Sequence, residues 1–251
     1  MTVASTPDGR ADAIRWQGSQ AVFALPYEEQ LSLSTVLQNF QQEQGGQAKD
    51  RVFYVQAQNN SLNTEFPALL KDVDSELPWA STAFGCSPEA VNIWIGDHRS
   101  VTSFHRDHYE NMYAVVAGTK RFTLLPPCER YRMHMMQVPA AVYRPQHDGS
   151  LDLELERPER LVSWCPIEVA QDDVTQAKQV EAYPRFHDPS LPAPLTVQVH
   201  AGEILYLPSM WYHMVQQEDD DSGRVIAVNY WYDMQYDCKY AYAKLIEHLS
   251  G

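Results

Sequence analysis

Two groups of short β-rich runs constrain the fold of this chain more than anything else in it. The first group is VNIWIG (91–96), VTSFHRDH (101–108), NMYAVVAG (111–118) and KRFTLL (120–125), closed by Pro126-Pro127. The second is LTVQVH (195–200), EILYLP (203–208), WYHMVQ (211–216) and RVIAVNYW (224–231). β-Branched and aromatic residues dominate each run. Turn signals separate them: Gly118-Thr119, Gly202 and the polar segment 218–223. Glycine accepts a positive φ at little cost, so Gly118-Thr119 predicts a hairpin. Many short strands with few long helices predict a mainly β chain, an antiparallel barrel or double-sheet jelly roll with flanking helices.

The flanks are read from periodicity. Residues 1–13 mix Ser, Thr, Pro, Asp and Gly and are expected to fray. Leu31, Val36, Leu37 and Phe40 give an imperfect helical stripe within 28–43, ended by Gly45-Gly46. RVFYVQA (51–57) predicts a strand. Phe66, Leu69, Leu70 and Val73 follow the i, i+3, i+4, i+7 pattern of a short amphipathic helix that stops near Pro78. The Pro-rich, polar stretch 128–194 contains a Leu151/Leu153/Leu155 alternation after the turn His147-Asp148-Gly149. It reads as an insertion with an extra hairpin, too poor in apolar residues to hold a core of its own. Tyr236, Tyr240, Ala243 and Leu245 mark a terminal helix. The expected organisation is one structural domain: a supporting segment 1–90, a core 91–233 with its insertion at about 128–194, and a C-terminal helix in 234–251.

Charge narrows the classes of function. Among the 251 residues, 19 Lys and Arg stand against 33 Asp and Glu, a net charge of −14. No basic cluster is present to bind phosphates, so nucleic acid is not an expected partner, and cationic peptides are preferred over acidic membrane surfaces. No apolar run approaches the roughly 18 residues of a membrane span. The first sixteen residues lack the apolar core of a signal peptide. Cys86, Cys128, Cys165 and Cys238 lie far apart with no CxxC pair, which predicts reduced thiols. A cytoplasmic protein is expected, of a mass that leaves nuclear entry open.

The chemistry concentrates at His105-Arg106-Asp107. Residues two apart in a strand share a face, so His105 and Asp107 can hold one ion from one side. Of nine histidines, His213 stands out as the third ligand, in a β run just after Leu207-Pro208-Ser209. Two imidazoles and a carboxylate with the remaining positions open form the facial triad of non-haem Fe(II) oxygenases. An H-x-D triplet alone is common by chance, and a lone strand histidine is more often packing than ligand. Lys120 opens the strand after the 118–119 turn among Val115, Val116 and Phe122. It reads either as a buried anion-binding cation or as the solvent end of the hairpin.

TSFHRDHYENMYAVVAGTKRFTLLPP, GEILYLPSMWYHMV and VIAVNYWYDM together resemble the Jumonji-C branch of the cupin superfamily, and within it the lysyl (3S)-hydroxylases. The resemblance spans about residues 91–240 and implies a double-stranded β-helix. It also implies Fe(II) held by His105, Asp107 and His213, with 2-oxoglutarate and O₂ as cosubstrates. Lys120 matches the base that pairs with the distal carboxylate of 2-oxoglutarate, and Tyr113 and Thr102 match hydroxyl donors to it. Thr102 has the wrong parity relative to His105, so its place requires a bulge or strand end. Asn229 and Trp231 match pocket-lining positions. Trp94 reads as pocket wall or as plain core. Glu110 and Tyr109, just after the triplet, are candidate substrate contacts at the pocket mouth.

The activity so implied is hydroxylation of a lysine C–H in a GTPase-type protein, with succinate and CO₂ released. The iron and cosubstrate carry the chemistry, and no general base is nominated. A Jumonji-C histone lysine demethylase and a non-catalytic metal-binding cupin scaffold are the rival readings. For peptidase activity the sequence offers no hydrolytic dyad. The tyrosine-rich C-terminal helix could pack on the barrel or on a second subunit, and the resemblance tilts toward a homodimer.

Overall fold

Strand structure begins at the second residue, in a computed structural model that describes residues 1–44, 51–169 and 173–250. The N-terminal part comprises β1 (Thr2–Thr6), β2 (Ala13–Gln17), β3 (Gln20–Leu25), β4 (Tyr27–Gln30), α1 (Leu33–Gln44) and β5 (Val52–Tyr54). Two helices follow, α2 (Ser61–Thr64) and α3 (Pro78–Phe84). Then come β6 (Ala90–Gly96), β7 (Thr102–His105), β8 (Tyr109–Ala117) and β9 (Thr119–Leu125). The connecting region holds β10 (Met136–Pro145), β11 (Leu151–Leu155), β12 (Leu161–Trp164) and α4 (Asp173–Ala182). The chain closes with β13 (Leu195–His200), β14 (Ile204–Leu207), β15 (Tyr212–Glu218), β16 (Val225–Asp233) and α5 (Cys238–Leu249).

The eight runs that open the sequence reading form two four-stranded antiparallel sheets, ordered β13-β9-β15-β7 and β14-β8-β16-β6. This is the jelly-roll arrangement: each sheet takes strands from both groups, so residues far apart in sequence meet. Alternation sorts the side chains of β16. Ala227 packs between the sheets with Tyr113, Phe122 and Val215, while Val228, Tyr230 and Tyr232 point outward to a second cluster. The inner cluster is aromatic, with Tyr54, Trp94, Tyr113 and Phe122 all buried. Gly118 turns the β8–β9 hairpin at φ 71°, and a Cβ there would lie 2.7 Å from the Glu218 carbonyl oxygen.

Both outer faces are covered, and here the sequence expectations change. The N-terminus does not fray: β1 is central in a sheet ordered β4-β1-β5, with Val3, Ala4, Ser5 and Thr6 buried. Its Val3 joins Val36 and Phe40 of α1 over the outer face of β6 and β16. The helix expected within 28–43 starts later, because Tyr27–Gln30 pairs with β1 as β4. Its Gly45-Gly46 stop lies outside the described residues. Pro78 opens a helix instead of ending one, taking the first-turn position where its missing N–H is harmless. The amphipathic pattern 66–73 is realised as a 3₁₀ turn at Pro67–Lys71.

The insertion covers the other sheet. Met133, Cys165, Ile167 and Phe186 pack on Phe104, Leu125, Tyr212 and Met214. The expected hairpin is β10–β11, and β10 also pairs in parallel with β3, tying the insertion to the N-terminal part. Helix α4 has no buried residue and gave no sequence signal. The C-terminal helix packs on the barrel through Ala243, against Met210 and Met234. All four cysteines are free.

Candidate active site

Strands β7 and β15 are neighbours, and their register places His105 directly opposite His213. The two imidazole centroids are 4.1 Å apart. Asp107 enters from the loop after β7, with Oδ2 3.7 Å from His105 Nε2 and 3.6 Å from His213 Nε2. One donor atom from each residue lies within 4.8 Å of the other two. Among the described residues no other group of three His, Cys, Asp or Glu side chains converges this closely.

The backbone decides which nitrogens are free. Nδ1 of His105 faces the Ser103 carbonyl oxygen at 2.8 Å, and Nδ1 of His213 faces the Trp211 carbonyl oxygen at 3.0 Å. Each Nδ1 must therefore carry its proton, which leaves both Nε2 lone pairs aimed at the Asp107 carboxylate. Burial pushes His213 down to about 4, with the neighbouring His105 adding to the shift, so it is a neutral ligand at neutral pH. Two imidazole nitrogens and a carboxylate converging this closely suit a divalent cation, and the N₂O donor set suits Fe(II).

The triad opens into a cleft of about 360 Å³ between the two sheets. Thr102 lines it together with His105, because β7 bulges: the three-residue interval from Thr102 to His105 spans the two-residue interval between Val215 and His213 on β15. Tyr113, Trp94, Asn229 and Trp231 line it as well. Lys120 is buried beside it, 1% exposed, which decides against the solvent-end reading. Its Nζ donates to the Tyr54 hydroxyl at 3.1 Å and to Gln217 Oε1, and no carboxylate among the described residues pairs with it. Burial alone pushes this ammonium down to about 7. The Tyr54 hydroxyl is also in hydrogen-bonding contact with Thr102 and Tyr113, and burial raises both phenols, keeping them protonated donors. A cation without an anion, ringed by hydroxyl donors, fits the distal carboxylate of 2-oxoglutarate.

A directed chain of hydrogen bonds forms the opposite wall. Trp94 Nε1 donates to Asn229 Oδ1 at 2.8 Å, and Asn229 Nδ2 donates to Asn111 Oδ1 at 3.3 Å. An indole N–H can only donate, so it fixes the polarity of both amides and leaves the Asn111 NH₂ for the pocket. Trp94 is thus a wall residue that orients Asn229, one of the two readings its sequence position left open. Tyr109 stacks face to face on Trp231, centroids 4.7 Å apart, at the outer end of the same strand face. Glu110 is not at the pocket. It faces the other way, accepting from Ser209 N at 3.1 Å, Ser209 Oγ at 2.8 Å and the Tyr206 hydroxyl at 2.7 Å. Alternation explains the reversal, since Glu110 lies between Tyr109 and Asn111 and must point oppositely.

Sequence reasoning passed over Tyr54, Gln58 and Asn111, which all line the cleft. Asn111 was readable from its parity with Tyr113. Tyr54 comes from β5, outside the two jelly-roll sheets, and reaches the cleft because Val55 bridges Ile95 on β6. No local signal announces that crossing.

A double-stranded β-helix carrying a His-x-Asp…His triad and a buried lysine defines a cupin-type metal oxygenase. Comparison with known proteins agrees: residues 1–238 match the cupin-like domain family. An Arabidopsis thaliana protein named lysine-specific demethylase JMJ32 is 45% identical over 97% of this chain and 69% of its own length. Human bifunctional peptidase and (3S)-lysyl hydroxylase JMJD7 is 41% identical over 100% of this chain and 73% of its own. JmjC domain-containing protein E of Dictyostelium discoideum is 35% identical over 100% of this chain and 74% of its own. The chain belongs to the cupin-like Jumonji-C family of 2-oxoglutarate oxygenases.

Proposed function

We propose that this protein is an Fe(II)- and 2-oxoglutarate-dependent oxygenase that hydroxylates a lysine side-chain carbon in a protein substrate of the GTPase type. The observation that carries the reading is the pairing of two demands in one cleft: three converging metal donors, and a buried cation, Lys120, that pairs with no carboxylate among the described residues. A dicarboxylate that reaches from the metal to Lys120 meets both. The lysyl hydroxylation and the protein substrate are supported by the relative named a (3S)-lysyl hydroxylase.

Iron with its cosubstrate supplies the oxidising power, as 2-oxoglutarate and O₂ go to succinate and CO₂ while one oxygen atom enters a C–H bond. The residues of the chain do the rest. His105, Asp107 and His213 hold the ion on one face and leave the cleft side open. Lys120, Tyr54, Thr102 and Tyr113 hold the distal carboxylate. Asn111 presents an amide N–H to the bound anion, and Trp231 and Phe122 keep the cleft apolar.

Lysine N-demethylation is the second reading, favoured by the relative named a lysine-specific demethylase. Succinate release from purified protein with Fe(II), 2-oxoglutarate and lysine peptides tests the class, and Asp107→Ala is expected to abolish it. Product mass then separates the readings: gain of one oxygen atom means hydroxylation, and loss of a methyl carbon from an N-methylated peptide means demethylation. Succinate release unaffected by Asp107→Ala would sink both.

A further inference from the structure

With His105, Asp107 and His213 taken as a divalent-metal site, as proposed above, the side of that site away from the cleft is cationic. Arg106 lies between two of the ligand positions and points the other way. Its guanidinium carbon sits 5.4 Å from the centre of the Tyr212 ring, and Tyr212 is the chain neighbour of His213. The Tyr212 hydroxyl accepts in turn from Arg130 Nη1 at 3.2 Å. Nη1 of Arg106 and Nε of Arg130 are buried and meet no acceptor among the described residues. Fixed positive charge next to the ligands, poorly screened by its surroundings, works against the arrival of a dication.

Among the described residues one carboxylate answers it. Glu247, in the last turns of α5, places Oε2 2.9 Å from Arg106 Nη2. The same oxygen takes Lys244 Nζ at 2.7 Å, but that lysine is half exposed and its charge is screened by water. The helix is anchored on the loop it serves. Met210, which packs against Ala243, donates its N–H to the Asp107 carbonyl oxygen at 2.8 Å, and Met234 donates to that of His108 at 3.3 Å.

We propose that Glu247 is a positioning residue of the metal centre: its carboxylate fixes and neutralises the Arg106 guanidinium behind the ligand loop, and so raises the affinity of the His105–Asp107–His213 site for a divalent cation. It touches neither metal nor substrate. Its effect on the metal is electrostatic, transmitted through Arg106, and this separates it from a residue that merely docks a helix.

Cobalt(II) binding to the full metal-free chain, followed by visible absorption and titration calorimetry, reads the effect without turnover. Glu247→Gln is expected to weaken cobalt binding about tenfold, the scale of coupling between neighbouring charges. Arg106→Met is expected to tighten it, and Glu247→Gln combined with Arg106→Met to return it to the wild-type value or better. An unchanged affinity in Glu247→Gln overturns the proposal. So does a double variant as weak as Glu247→Gln alone, which would show that the carboxylate acts by docking α5. Should Glu247→Gln fail to fold, Arg106→Met decides by itself, and no gain in affinity there overturns the idea. A wild-type chain with no cobalt site that His213→Ala removes would bring down the metal-centre reading as well, a result distinct from the others.

Discussion

Lys120 is an ammonium enclosed by neutral groups, and its two partners do not compensate the water it has lost. A buried cation of this kind costs stability that its ligand can return. Lys120→Met keeps the length and removes the charge. In the absence of ligand, the variant is expected to be more stable than wild type by about 1–3 kcal/mol at pH 7. It should also lose the rise in Tm that 2-oxoglutarate gives the metal-loaded wild type. Thermal unfolding with and without 2-oxoglutarate checks both halves. The sign with pH follows from the direction of the shift. Folding holds Lys120 at about 7, well below an unfolded lysine, so the unfolded chain binds more protons between those values. The penalty is complete below pH 7 and fades as pH rises. Binding runs the other way: above pH 7 the anion must draw a proton onto Lys120, so 2-oxoglutarate affinity should fall by up to about tenfold per pH unit. Calorimetry in buffers of different ionisation heat should record proton uptake at pH 8 in wild type and none in Lys120→Met.

At the scale of elements, what was legible followed the strand period, and what was not followed departures from it. His105 and His213 could be brought together on paper because a distant strand could supply the third ligand, whereas Asp107 joins them from the loop after β7, outside the strand alternation expected to pair it with His105. Thr102 breaks the alternation, and only the bulge in β7 against β15 reconciles it. Glu110 went astray for the opposite reason: proximity in sequence to the triplet outweighed a parity that already excluded it. Gly96, at the end of β6, is a similar case of a position whose meaning is three-dimensional. A Cβ there would lie 2.7 Å from the Tyr54 ring and 2.8 Å from Gln217 Nε2, the two side chains that hold Lys120. Gly96→Ala is therefore expected to raise the KM for 2-oxoglutarate about tenfold and to cost about 1–3 kcal/mol of stability, as overpacking does. Cobalt binding at the triad should be unchanged. Denaturant unfolding, steady-state kinetics and metal titration separate the three effects.

For the whole molecule, the barrel was readable and its wrapping was not. The eight central strands carry their own turn chemistry, whereas β1 and the insertion are ordered by contacts with partners remote in sequence. Val3 meets Val36 of α1, and β10 meets β3. Residues 1–13 look frayed by composition because propensity cannot see a sheet assembled around them. Net charge, in contrast, needs no fold to be interpreted, and it makes a prediction with an internal control. A chain at −14 attracts a basic peptide and repels the 2-oxoglutarate dianion. Salt shortens the reach of both effects to about 8 Å near physiological ionic strength. Raising it should increase the KM for a lysine-rich peptide, slow its association and leave kcat nearly constant. The KM for 2-oxoglutarate should stay level or fall over the same range, since its encounter loses a repulsion while its buried contact with Lys120 is screened little. Initial rates at fixed pH across a salt series test the pair. If both KM values rise together, salt is acting on the enzyme itself, and the acidic surface has no steering role.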